Sequence, residues 1–199
     1  MFISFEGIDG SGKSTQARRL AETLRQSGRR VVLTREPGGS PGAEEIRRLL
    51  VSGDNERWSP ETELLLFTAA RRDHLERVIE PAIARGDWVI TDRFADSSRV
   101  YQGAARANLR DLVEALHALT IHRDPDLTFV IDLDPATSLG RGCARGGNED
   151  RFEGMGLTFQ QRLRDGFLAL AHEAPQRIRI IDGSGSEDQV AARVLAALP

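Results

Sequence analysis

Hydrophobic positions along the chain alternate between short solid runs and longer stretches where apolar residues recur every three or four places. The solid runs at residues 2–6, 30–34, 87–91, 127–133 and 177–182 read as strands. The spaced stretches at 13–26, 42–52, 94–105, 109–120, 158–173 and 187–197 predict helices. Ser59-Pro60-Glu61 supplies an N-cap, a proline at the first helical position and an acid in the first turn. The helix it opens should run to about 84, with a bend at Pro81. Pro135 opens a short helix, and residues 144–156 are rich in glycine and charge with no apolar period. Strand and helix in this alternation describe an α/β protein with a central five-stranded parallel sheet flanked by helices. No repeat, linker or low-complexity block interrupts it, so one domain spanning 1–199 is expected.

Composition narrows the picture little. At 199 residues the chain can bury one core, and its net charge of −3 is too mild for a nucleic-acid-binding or membrane-surface protein. Cys143 is the one cysteine, which rules out an intrachain disulfide and fits a reducing compartment. The first residues run straight into a glycine-rich motif, no apolar run nears the ~18–20 residues of a membrane span, and a cytoplasmic location is expected. One bias does matter. Of the 27 lysines and arginines only Lys13 is lysine, at a position where a compact ammonium fits and an arginine fork would crowd a phosphate.

Lys13 belongs to Gly7-Ile8-Asp9-Gly10-Ser11-Gly12-Lys13-Ser14, which matches G-x-x-x-x-G-K-[ST] with an apolar strand before it and an amphipathic helix after. Glycines let such a loop wrap phosphates with its amides turned inward, and the helix adds its positive end. Lys13 would reach the β- and γ-phosphates of ATP, and Ser14 would ligate Mg²⁺. A P-loop NTPase fold follows. The single lysine excludes an N-K-x-D guanine motif, and the length leaves little room for the moving domains of motor ATPases. A small kinase is the favoured class.

An acceptor should lie beyond the carboxyl ends of the strands. Thr34-Arg35-Glu36-Pro37-Gly38-Gly39 follows the second strand, and Thr91-Asp92-Arg93-Phe94 closes the third. Phe67 and Arg71, four apart on one helix face, can stack a base and hydrogen-bond its exocyclic oxygen. Arg47 lies on the preceding helix, within reach of an acceptor phosphate. These residues alone leave open a different nucleoside monophosphate, a deoxynucleoside, a small metabolite, or a regulator that binds ATP without turnover.

The ordered set of Phe5-Glu6-Gly7, Gly10-Ser11-Gly12-Lys13-Ser14-Thr15, Thr34 to Gly39, Phe67 to Arg71, Asp92-Arg93-Phe94, Ser97-Ser98, Tyr101-Gln102-Gly103, Pro125-Asp126-Leu127 and Asp150-Arg151-Phe152-Glu153 resembles the bacterial thymidylate kinases. The resemblance spans essentially the whole chain. It implies that residues Gly7 to Thr15 bind ATP with Arg141 flanking adenine, and that Asp9 contacts nucleotide. Phe67 would stack on thymine, Arg71 would bond its O4, Ser98 and Gln102 would read the base edge, and Tyr101 would pack beneath the deoxyribose, with Arg35 and Ser97 nearby. Arg47 and Arg93 would hold the acceptor phosphate. Glu36 would sit near that phosphate and Mg²⁺, Asp92 would orient partners or metal-bound water, and the protein would be a homodimer. Phe94 departs from the family's usual pattern, which is tyrosine or histidine after Asp-Arg.

Residues 141–154 read as a glycine-flanked lid with arginines at 141, 145 and 151. In the family an additional arginine comes either from the P-loop or from the lid. Gly10 occupies the P-loop position here, so Arg145 and Arg151 are the implied catalytic arginines beside Lys13, Arg93, Asp9 and Glu36. His74, His117, His122 and His172 have no metal-ligand spacing.

Overall fold

The computed structural model describes residues 1–53, 57–106, 108–143 and 156–199. Five strands, β1 (Phe2–Glu6), β2 (Val31–Arg35), β3 (Trp88–Asp92), β4 (Leu127–Asp132) and β5 (Ile178–Asp182), form one sheet in the order β2-β3-β1-β4-β5. Every pairing is parallel, and Phe5 lies opposite both Asp92 and Phe129. The solid apolar runs follow from that arrangement, since helices cover both faces.

Strand alternation sorts the two faces. Ile3, Phe5, Phe129, Ile131 and Ile181 pack against Leu20 and Leu24 of α1 (Lys13–Gln26) and Val190 and Val194 of α9 (Glu187–Ala196). Phe2 and Val89 point the other way, toward Leu75, Ile79 and Phe94. On that second face Val130 and Ile178 join Phe159, Leu163 and Phe167 of α8 (Gly156–Glu173). The same alternation places Ser4, Glu6 and Thr128 on the second face, where the Ser4 and Thr128 hydroxyls meet at 2.8 Å.

Strand and helix ends differ from the sequence expectation by one or two residues. α2 (Pro41–Val51) starts with a proline after Ser40, and α7 (Pro135–Cys143) is the short helix opened by Pro135. Larger differences lie inside the helices. The stretch expected to run from 60 to 84 is α3 (Pro60–His74), a π turn at Leu75–Ile79, then α4 (Glu80–Ala84). Pro81 lacks the amide that would close an ordinary turn and its ring crowds the preceding carbonyls, so the ladder widens just before it. Helix α5 (Ala95–Val100) passes into a π segment at Tyr101–Arg106, and α6 (Arg110–Leu116) into another at His117–Ile121. Among the described residues no helix is long and apolar enough to cross a membrane.

Candidate active site

Central strand β1 delivers the glycine-rich loop between its two neighbours, β3 and β4. Two glycines there have no substitute. Gly7 has φ 131 and a Cβ on it would stand 2.6 Å from the Ile131 carbonyl oxygen; Gly10 has φ 83 and its Cβ would stand 2.2 Å from the Ser138 carbonyl oxygen. The Ser138 hydroxyl also donates to the Asp9 carbonyl at 2.8 Å, so α7 is seated on the loop. Helix α1 follows with neither a side-chain cap nor an acid in its first turn, leaving its amides for an anion. Lys13 is 6% exposed; its ammonium donates to the Ile8 carbonyl at 2.7 Å and lies 3.8 Å from Asp9. Burial and the neighbouring Arg93 push it down to about 8, against the pull of Asp9 and Asp92.

Beside this cradle the Ser14 hydroxyl donates to Asp92 Oδ2. Asp92 Oδ1 is buried with no hydrogen-bond partner among the described residues. A hydroxyl and a carboxylate with one oxygen unused, at the first turn of the phosphate-binding helix, fit a magnesium ion. Among the described residues no group of three or more His, Cys, Asp or Glu is arranged to hold a metal, so such an ion would draw most of its ligands from phosphate and water.

Arg93 leaves β3 with φ 73, an unusual backbone for a residue with a side chain. Its guanidinium reaches back over the loop, donating to Asp9 Oδ1, to Ser97 Oγ at 2.9 Å and to the Tyr101 hydroxyl at 3.1 Å. Tyr101 in turn donates to Asp9 Oδ2 at 3.0 Å, and its ring packs edge-on against Phe159 and Phe167. Burial alone would raise the Asp9 carboxyl, but Arg93 and Lys13 hold it down to about 2. One carboxylate therefore faces the loop lysine on one side and the Arg93–Tyr101 pair on the other.

Arg71 lies deeper. Its Nε donates to Glu36 Oε2 at 2.7 Å, its terminal nitrogens to Ser98 Oγ at 3.2 Å and to the Phe94 carbonyl at 3.1 Å. The other Glu36 oxygen pairs with His74 Nδ1 at 3.1 Å, and His74 Nε2 with Thr34 Oγ1 at 2.7 Å. Gln102 is buried and donates to Glu63 Oε1 at 2.8 Å. Phe67, one turn before Arg71, is half-buried. Arg47 donates to the Pro37 carbonyl at 2.6 Å. Arg35, at the end of β2, is 55% exposed and turned to Glu44 of α2, away from this group. Phe94 lies in the core with its ring edge-on to Phe2 at 5.0 Å. Arg145 and Arg151 lie outside the described residues, as does the Arg141 side chain.

Three residues in this assembly had no functional place in the sequence reading: Glu6, Glu63 and His74. The one charged residue of the Phe2–Glu6 strand, standing at its end, was the available signal for Glu6. His74 stands three residues after Arg71, hence on the same helix face.

A 2-3-1-4-5 parallel sheet, a glycine cradle on its central strand and an arginine at the neighbouring strand end define a P-loop nucleotide-binding phosphotransferase. The thymidylate kinase family model matches residues 5–194. A thymidylate kinase of Dinoroseobacter shibae is 70% identical over 98% of this chain and 95% of its own length, and one of Ruegeria pomeroyi is 66% identical over 98% and 92%. The crystal structure of thymidylate kinase from Ehrlichia chaffeensis superposes with a TM-score of 0.83 at 36% identity, covering 100% of this chain and 98% of that one. The chain belongs to the thymidylate kinase family.

Proposed function

We infer that the chain transfers the γ-phosphoryl group of ATP to thymidylate, giving thymidine diphosphate and ADP. The observation that carries this reading is Asp9. It stands 3.8 Å from Lys13 of the donor cradle and is bonded to Arg93 and Tyr101 on the acceptor side, so both substrates meet at one carboxylate.

The attacking group is the acceptor's own phosphate. With a second pKa near ~6 a phosphate monoester is mostly dianionic at neutral pH, so no side chain has to remove a proton. The protein's part is positioning and charge. Lys13 and the first-turn amides of α1 hold the donor phosphates, and Arg93 and Arg47 hold the acceptor phosphate. Phe67 offers a half-buried ring for the thymine. Arg71, Ser98 and Gln102 present polar groups to the base edge, and Tyr101 lies under the sugar. Glu36, both oxygens engaged, acts by fixing Arg71. Ser14 and Asp92 would hold Mg²⁺, which when bound neutralises part of the phosphate charge. Arg145 and Arg151 would add the remaining positive charge and help to exclude water from the reacting phosphates. A homodimer and a cytoplasmic location complete the reading.

A panel of nucleoside monophosphates with Mg-ATP, followed by ADP release, tests it. Thymidylate should be turned over fastest; faster turnover of AMP or GMP would sink the assignment.

A further inference from the structure

Glu6 ends β1 with no exposed surface. Its Oε1 accepts from the backbone amide of Phe94 at 2.8 Å and that of Ser97 at 3.3 Å, and its Oε2 accepts from the Ser97 hydroxyl at 2.6 Å. That hydroxyl is the same one on which the Arg93 guanidinium rests at 2.9 Å. Arg93 itself is the non-glycine residue with positive φ in this turn, and its own amide is tied to the Phe5 carbonyl at 2.9 Å. Both anchors of the turn, the Phe5 carbonyl before it and the Glu6 carboxylate after it, therefore come from neighbouring residues of β1. A buried carboxylate is costly to fold unless every lone pair is used, and here the three bonds all go to the residues that aim Arg93.

We propose that Glu6 is a positioning residue for the acceptor side, holding the Arg93 guanidinium over the phosphate loop through the Ser97 hydroxyl and the amide that follows Arg93. Glu6 meets no substrate on this account; it acts through Arg93. Its geometry also ties the two substrate sites together, because β1 runs directly into the cradle while its last side chain sets the acceptor arginine.

The electrostatics agree with that geometry. Burial and the neighbouring Asp96 raise the Glu6 carboxyl to about 7, against the pull of Arg93. The charged groups facing it are Arg93 and Asp96, with Lys13 from α1; Asp96 is itself bonded to Arg99 and Arg177. The ionised carboxylate accepts three hydrogen bonds. A protonated one must donate at Oε2, turning the Ser97 hydroxyl around and weakening the hold. The raised value makes the protonated form stable below 7, so acceptor binding loosens as pH falls through 7.

The test compares wild type with Glu6→Gln, Ser97→Ala and the double variant, measuring KM for each substrate, kcat and thermal unfolding. Glutamine keeps the shape and the Oε1 contacts but freezes the pattern of the neutral acid. Expected is a roughly tenfold or larger fall in kcat/KM for thymidylate in Glu6→Gln, with KM for ATP changed less than about twofold. The Ser97→Ala loss should be smaller and should not add to it, since both break one path. The wild-type limb near pH 7 in kcat/KM for thymidylate should vanish in Glu6→Gln. A purely structural role would lower the active fraction, reducing kcat alone with both KM values unchanged, and that outcome overturns the proposal. So does a Glu6→Gln enzyme within twofold of wild type. Should Glu6→Gln fail to fold, Ser97→Ala decides: no change in KM for thymidylate refutes the path. The inference rests on the proposed function, and the two fail differently. A wild type inactive with every monophosphate removes both; an active wild type indifferent to Glu6→Gln removes only this one.

Discussion

Arg71 shows how far a single side chain can depart from what its spacing suggests. Helical spacing put it beside Phe67, and a thymine-facing role follows from family resemblance. In the fold its guanidinium is 5% exposed and paired with a Glu36 carboxylate that is 4% exposed. Removing one member of such a pair strands the other in a dry site, a loss of about 3–5 kcal/mol. Arg71→Ala should therefore lower unfolding free energy by about 3 kcal/mol in denaturant titration, in addition to raising KM for thymidylate. A loss under about 1 kcal/mol would mean that water reaches Glu36. Spacing could not foresee this pairing, because Glu36 comes from the turn after β2, and only the packing of that turn brings it to α3. The P-loop lysine was legible because all of its context is local. Glu6 was not, since a strand pattern reveals which face a residue takes and nothing of what waits on that face.

Among the elements, α7 constrains most. It is seated on the loop so closely that position 10 has no room for a side chain, the obstacle being the Ser138 backbone. Trimming residue 138 therefore cannot relieve it. Gly10→Ala would combine an unfavourable positive φ, about 1–2 kcal/mol, with overpacking worth about 1–3 kcal/mol. Thermal unfolding should fall by about 4–20 °C for a chain of this size, and KM for ATP should rise several-fold as α7 or the loop gives way. A variant melting within about 1 °C of wild type would show that α7 yields freely. The same wall is a steric reason for the absence of a P-loop arginine, a choice that from sequence was read only through family comparison. Helix existence was legible throughout, but the three π segments were not, because apolar spacing fits a widened turn as well as a regular one. At Pro81 alone the chemistry announced a disturbance in advance.

For the molecule as a whole, five strands and their parallel sense could be read from the alternation of runs, whereas the order β2-β3-β1-β4-β5 could not, since it is decided by pairings between distant segments. The ordering is what carries Asp92 and Arg93 to the side of Lys13, and Lys13 is where a count made on the sequence acquires a practical meaning. Because Lys13 is the one lysine among the 199 residues, the ammonium in the phosphate cradle is the single side-chain primary amine of the sequence. With its folded value lowered to about 8, against 10.5 for a free lysine, that ammonium destabilises the fold fully below pH 8, and the penalty is lost as pH rises from 8 to 10.5. It is also an unusually ready nucleophile at mild pH. Acylation by a small reagent should accelerate up to about pH 8 and then level, abolish activity at one acyl group on Lys13, and be blocked by ATP. Intact mass, peptide mapping and residual activity read all three, and Lys13 acylated with full activity retained would contradict them. Acyl label mapped to the Lys13 peptide, set apart from any on the chain's α-amino group, would thus count active sites one for one.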